Sequence, residues 1–172
     1  MAIYALGDLV PSIHPTAFVH PQATVIGDVV IGAESSIWPH AVLRGDNGQI
    51  RIGARTSIQD GTVVHCGPTF PTIVGDDCVV GHLAHLEGCT LENGCLVGSG
   101  SVVLHYAVIE SGATVGANAV VGNRKRVPAD ALAVGVPAII KEGASSREVI
   151  EYSAQSYVEN GRRFSNEMRQ LD

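Results

Sequence analysis

The sequence predicts an all-β parallel solenoid of about six triangular coils, followed by a C-terminal helix. Three observations predict it. Aliphatic residues recur at every sixth position, glycine is abundant (20 copies) while aromatic residues make up only 5%, and the tail switches to helical spacing. One series reads Ile73, Val79, His85, Leu91, Val97, Val103, Ile109, Val115 and Val121, with the histidine as its one exception. An earlier series reads Ile13, Val19, Val25, Ile31, Ile37 and Leu43, then Ile52, Ile58 and Val64. Six is neither the period of a helix nor a strand alternation; it is the length of one short strand plus one corner. Three such repeats close a triangle, and successive triangles stack at about 4.8 Å, the ordinary interstrand distance.

The remaining elements follow in chain order. Two breaks of phase, Leu43 to Ile52 and Val64 to Ile73, are loops with the sequences Gly45-Asp46-Asn47-Gly48-Gln49 and Gly67-Pro68-Thr69-Phe70-Pro71. Loops on a rigid scaffold commonly carry function or meet a neighbouring subunit. After Val127 the segment 128–143 is expected to leave the coil, with Pro128 and Pro137 as breakers. Ser145 and Glu148 form a capping-box pattern, and Ile150, Ala154, Tyr157, Phe164 and Met168 then make one apolar stripe. Gly161 inside that helix costs about 1 kcal/mol relative to alanine. The expected division is residues 1–143 for the solenoid with its exit and 144–172 for the helix.

Bulk properties exclude several classes. A length of 172 residues is one domain by size, long enough to bury a core. A net charge of −6 argues against a nucleic-acid partner, which needs a basic face. No apolar run approaches the length of a membrane span, and residues 1–10 lack the pattern of a secretory signal. The four cysteines, Cys66, Cys78, Cys89 and Cys95, show no CxxC spacing and read as reduced, buried thiols at solenoid corners. A cytoplasmic location is the expectation.

Stacking gives each polar residue an address. Leu43, Val64, His85 and Val103 are taken as one column, so Arg44 and His65 lie one coil apart, as do Glu87 and His105. His82 lies on the preceding strand, with His40 at the same offset two coils away. Imidazoles and a carboxylate gathered near one corner suit Zn²⁺ and related first-row ions. His14, His20 and His40 read as solvated or capping side chains, and His85, at an inward position, as a buried histidine ahead of a ligand.

The stretch VIGDVVIGAESSIWPHAVLRGDNGQIRIGARTSIQDGTVVHC, followed by VGHLAHLEGC, closely resembles the γ-class carbonic anhydrase family. The likeness covers nearly the whole solenoid, and the VPADALAVGVPA exit is similar too, although hexapeptide acyltransferases share it. The resemblance implies a left-handed parallel β-helix, the exception to the usual right-handed crossover. It also implies a homotrimer with Zn²⁺ (Fe²⁺ or Co²⁺ as alternatives) held between adjacent subunits, and a small-molecule substrate, CO₂, attacked by metal-bound hydroxide. His65 and His82 match two of the family's three ligand histidines, one coming from the neighbouring subunit. Arg44 and Asp46 match a pair that meets across the interface, and Gln59 and Asp60 match groups that orient bound water or substrate. Tyr157 matches a tyrosine carried on the C-terminal helix.

At the third ligand position this chain has Glu87 instead of histidine. His85 stands at a usually apolar position, His105 where small polar residues are common, and Ser57 where asparagine is frequent. A glutamate ligand lowers the site's net charge by one and makes bound water less acidic. Two histidines with one glutamate nonetheless hold zinc in metalloproteases. The leading expectation is a metal set of His65, His82 and Glu87, with His105 orienting Glu87. The rival expectation has His85 or His105 replacing the missing histidine, leaving Glu87 as a proton-transfer group. Alternative functions are a metal-assisted hydrolase or lyase acting on another small substrate such as a thioester, a metal-free hexapeptide acyltransferase with a histidine base, and a non-catalytic scaffold.

Overall fold

The computed structural model describes residues 2–171. They form a left-handed parallel β-helix of about seven turns with one helix along its side. This is one turn more than the aliphatic series implies, because strands Ala2–Tyr4 and Leu132–Val134 extend the stack at its two ends. The coil therefore continues past Val127 as far as Leu132–Val134, and the chain leaves it after that strand, with Ile139–Lys141 pairing antiparallel to Leu132–Val134. Among the described residues no helix is long and apolar enough to cross a membrane.

The first face of the prism carries Val63–His65, His85–Glu87, Val102–Val103 and Val120–Val121, together with parts of the longer strands Thr24–Ile31 and Val42–Ile52. Its inward column is Val25, Leu43, Val64, Leu86, Val103 and Val121, each essentially inaccessible to solvent. Burial of these aliphatic groups, at roughly 25 cal/mol per Å² removed from water, is the main stabilising term of the narrow core.

One expected phase does not hold. The inward residues after the second break are Val74, Val80 and Leu86, not Ile73, Val79 and His85. The break from Val64 to Val74 is ten residues rather than nine, and a five-residue step from Leu86 to Leu91 restores the register. His85 thus faces outward, with its side chain 35% exposed, and the apparent exception in the series disappears. Ile73–Val74 and Val79–Val80 are both aliphatic pairs, so the pattern alone does not say which member points inward.

Helix α1, Arg147–Glu167, packs along the third face, against Phe18–Val19, Ser36–Ile37, Ser57–Ile58 and Val79–Val80. Its N-cap is Ser146, whose hydroxyl accepts from the Val149 amide. The expected cap, Ser145, instead hydrogen-bonds Thr114 through its hydroxyl, at 2.7 Å. The buried stripe is Ile150, Ala154, Val158 and Gly161, whereas Met168 is exposed. Phe164 and Tyr157 lie at the stripe's border, meeting Trp38 edge-on at centroid distances of 5.0 and 5.6 Å. A Cβ at Gly161 would stand 3.5 Å from the Cβ atoms of Phe18 and Ser36, which is how closely the helix approaches the sheet.

Candidate functional site

Parallel stacking brings Arg44, His65 and Glu87 into one transverse row, since Arg44 pairs with His65 and His65 with Glu87. This corrects the expected offset: Glu87 directly follows the inward residue of its rung, as Arg44 and His65 do. The His65 ring lies between two carboxylates. Its Nδ1 is 3.1 Å from Glu87 Oε1 and its Nε2 is 3.0 Å from Asp46 Oδ1. A neutral imidazole donates through only one of these nitrogens. Asp46, inside the long strand Val42–Ile52 where the expected first loop is absorbed as an irregularity of register, also pairs with Arg44 within the same chain. The resemblance assigns that pair to two different subunits; here it closes inside one protomer.

Glu87 is the centre of the cluster. His85 Nε2 lies 3.2 Å from its Oε2, and His105 Nε2 lies 3.5 Å from its Oε1. The His105 nitrogen is buried and makes no well-formed hydrogen bond. Burial pushes the Glu87 carboxyl upward, but the imidazoles of His65, His85 and His105 together outweigh it and hold the group below the usual carboxylate range. Asp46 is held low in the same way, burial being outweighed by His65 and the Arg44 guanidinium.

The other predicted residues sit at the neighbouring corner. His82 precedes the strand His85–Glu87 and so stands at the opposite end of that rung from Glu87. Its Nδ1 donates to Asp60 Oδ2 at 2.9 Å, which fixes the tautomer and leaves Nε2 as the free acceptor. His82 does not share a column with His40, which occupies a left-handed corner at φ +61° together with Gly61 and Leu83. Gln59 is only 4% exposed. Tyr157 of α1 overhangs this corner; burial, and then the Asp60 charge, raise its hydroxyl pKa. Leu83, beside His82, is 72% exposed at φ +59°.

Within one protomer, then, the predicted residues fall into two separate groups, Arg44, Asp46, His65 and Glu87 in one and Gln59, Asp60 and His82 in the other. Among the described residues no three His, Cys, Asp or Glu side chains are placed to hold a metal ion by themselves. His14 and His20 cap turns, accepting from the Thr16 and Gln22 amides. All four cysteines are free and buried, with burial pushing the Cys66 thiol to about 11 and Cys89 to about 12. Sequence reasoning missed the contacts of Thr72 and Tyr106 with the loop around Phe70, described below; nothing in a six-residue pattern indicates where an inserted loop lands.

Coil geometry and repeat length define a hexapeptide-repeat β-helix protein. The bacterial transferase hexapeptide (six repeats) family matches residues 11–45 and 71–105. The mitochondrial gamma carbonic anhydrase 2 of Arabidopsis thaliana is 40% identical over 159 residues, covering 88% of this chain and 57% of that protein. The carnitine operon protein CaiE of Escherichia coli K12 is 42% identical over 149 residues, 87% of this chain and 76% of that one. A solved Bacillus cereus structure, provisionally described as an acetyltransferase, is 36% identical with a TM-score of 0.94, covering 97% of this chain and 98% of that one. The chain belongs to the γ-carbonic anhydrase-like family of hexapeptide-repeat proteins. It spans a little under three fifths of the length of the plant relatives it matches.

Proposed function

We propose that this protein is a metal-dependent hydratase of the γ-carbonic anhydrase type, acting on CO₂ or a similar small electrophile between protomers of a homotrimer. One protomer supplies His65 and Glu87, and the next supplies the Nε2 of its own His82. The observation that carries this reading is the 3.1 Å separation of His65 Nδ1 and Glu87 Oε1. Two ligands of one tetrahedral zinc ion at 2.0–2.1 Å lie roughly 3.3 Å apart, so the donor spacing and donor chemistry fit Zn²⁺. The buried, unbonded His105 Nε2 is a further donor facing the same carboxylate.

Zinc, when bound, supplies the Lewis acidity that makes water nucleophilic near neutral pH. The chain's own residues do the rest. Asp60 orients His82 through Nδ1 and holds its ring in one tautomer. Arg44 places a cation beside Asp46 and the His65–Glu87 pair, favouring an anionic product such as bicarbonate. Asp60, with its side chain half exposed, gives the adjoining corner a polar group for substrate, and the buried Gln59 precedes it in the chain. The half-sites occupy opposite ends of one rung, so two protomers meeting corner to corner would join them. The exposed apolar side chains of Val63 and Leu83 lie on the surface such a partner would cover. The free, buried thiols support a reducing compartment such as the cytoplasm.

The test is metal content, an anomalous-scattering map and a CO₂-hydration assay on one preparation. The expected result is zinc at His65 and His82 with measurable hydration; metal density away from both would overturn the site. An acyltransferase reading is kept because the solved relatives 36% identical to this chain carry transferase descriptions. Binding of acetyl-coenzyme A to metal-depleted protein would favour it.

A further inference from the structure

The loop that breaks the repeat between Val64 and Val74 turns back onto the site. Gly67 and Phe70 exchange two backbone hydrogen bonds of 3.2 Å, closing a tight turn over Pro68 and Thr69. At the loop's exit the Thr72 hydroxyl donates to the His65 carbonyl and accepts from the Gly88 amide at 2.8 Å. The loop is thereby tied to both strands that carry His65 and Glu87.

These ties set the Phe70 ring over the next coil. It stacks on the His105 imidazole, with centroids 4.5 Å apart and planes 22° from parallel. It also meets the Tyr106 ring edge-on at 5.9 Å. Tyr106 is fixed in turn by a 3.1 Å hydrogen bond with Thr69 and by the Arg124 guanidinium 5.1 Å over its ring. A Cβ on Gly67 would come within 2.2 Å of the Phe70 ring, so the ring occupies the space that any side chain at 67 would need. Against this packing, His105 Nε2 has no hydrogen bond of its own, and the χ2 torsion of histidine is intrinsically broad. Besides its 3.5 Å approach to Glu87, the stacked Phe70 ring is the contact that constrains the orientation of this imidazole.

We propose that Phe70 is a positioning residue that, by stacking on His105, aims its Nε2 at Glu87 and so sets the geometry of Glu87 as a ligand. The inference rests on the metal reading above, and it assigns the loop a task inside the site as well as at its rim.

The experiment uses the full chain and Zn²⁺ alone, with two readouts: Zn²⁺ affinity by chelator competition, and the His105 ring resonances of the metal-free protein. Phe70→Leu keeps bulk and removes the aromatic face. It should weaken Zn²⁺ binding roughly tenfold, the size expected for losing an outer support of a ligand, and move the His105 ring protons downfield. Gly67→Ala displaces the ring without deleting it and should produce both changes; it also carries the test if Phe70→Leu does not fold. The double variant should be no weaker than either single one, because both act through one contact. Ile109→Val, a core change on another face, should leave both readouts at wild-type values.

Unmoved His105 resonances, additive losses in the double variant, or wild-type Zn²⁺ affinity in Phe70→Leu would each overturn the positioning role. A wild-type protein that binds no Zn²⁺ would instead overturn the metal reading beneath it.

Discussion

Glu87 is a carboxylate surrounded by imidazoles, and its surroundings decide what substitution there should do. His65 and His105 approach Oε1, and His85 approaches Oε2. A glutamine at 87 keeps the shape and loses the charge on which these rings converge. Glu87→Gln should therefore strip most of the zinc from the purified protein, read by elemental analysis. Full metal retention with a loss confined to turnover would instead place His85 or His105 in the metal shell. Glu87→His restores a third imidazole and the full charge of the ion, so it should raise CO₂ hydration if the glutamate limits catalysis. The extra histidines sit around this carboxylate, where the chain also departs from the family pattern. His85 is legible as unusual from sequence, but its role is not. Its outward direction depends on a phase that the neighbouring aliphatic pairs leave ambiguous.

Helix α1 shows the same division at the scale of an element. Its existence and side of burial follow from Ile150 and Ala154 at helical spacing, and a serine cap is readable within one residue of its true place. Its border residues are not readable, because Tyr157 and Phe164 are apolar enough for the core yet are drawn to Trp38 at the edge of the third face. Gly161 is buried against the sheet, where a Cβ would make ordinary van der Waals contact at 3.5 Å. Gly161→Ala should thus be sterically accommodated and stabilise the fold by up to about 1 kcal/mol through helix propensity, seen as a higher midpoint in urea denaturation. A lower midpoint would mean that the helix already touches the sheet as closely as it can. Ile150, wholly buried at the other end of the stripe, should cost about 2–5 kcal/mol on truncation to alanine in the same assay.

At the scale of the whole molecule, the proposed shared site would make assembly part of the chemistry, because His82 stands apart from the His65–Glu87 pair within one protomer. Leu83 projects beside His82 in a left-handed backbone conformation that disfavours a large side chain, and within the protomer it is largely exposed. Leu83→Glu should break the proposed trimer, measured by light scattering, and lower zinc content with it, while leaving the far-ultraviolet dichroism of the β-helix intact. A monomeric wild-type protein that still binds zinc would exclude the shared site. The six-residue period by itself determined the solenoid, the loop after His65 and the row that joins Arg44 to His65, whereas the expected first loop is absorbed into the strand Val42–Ile52. In a stacked coil, a residue's place along the axis is set by counting. The tertiary structure alone decided the inward phase after the second loop, the row position of Glu87, the landing of Phe70 on His105 and the separation of His82 from His65. Those depend on how a ten-residue excursion and a five-residue step close around the prism, a matter of non-local packing to which two adjacent aliphatic residues are indifferent.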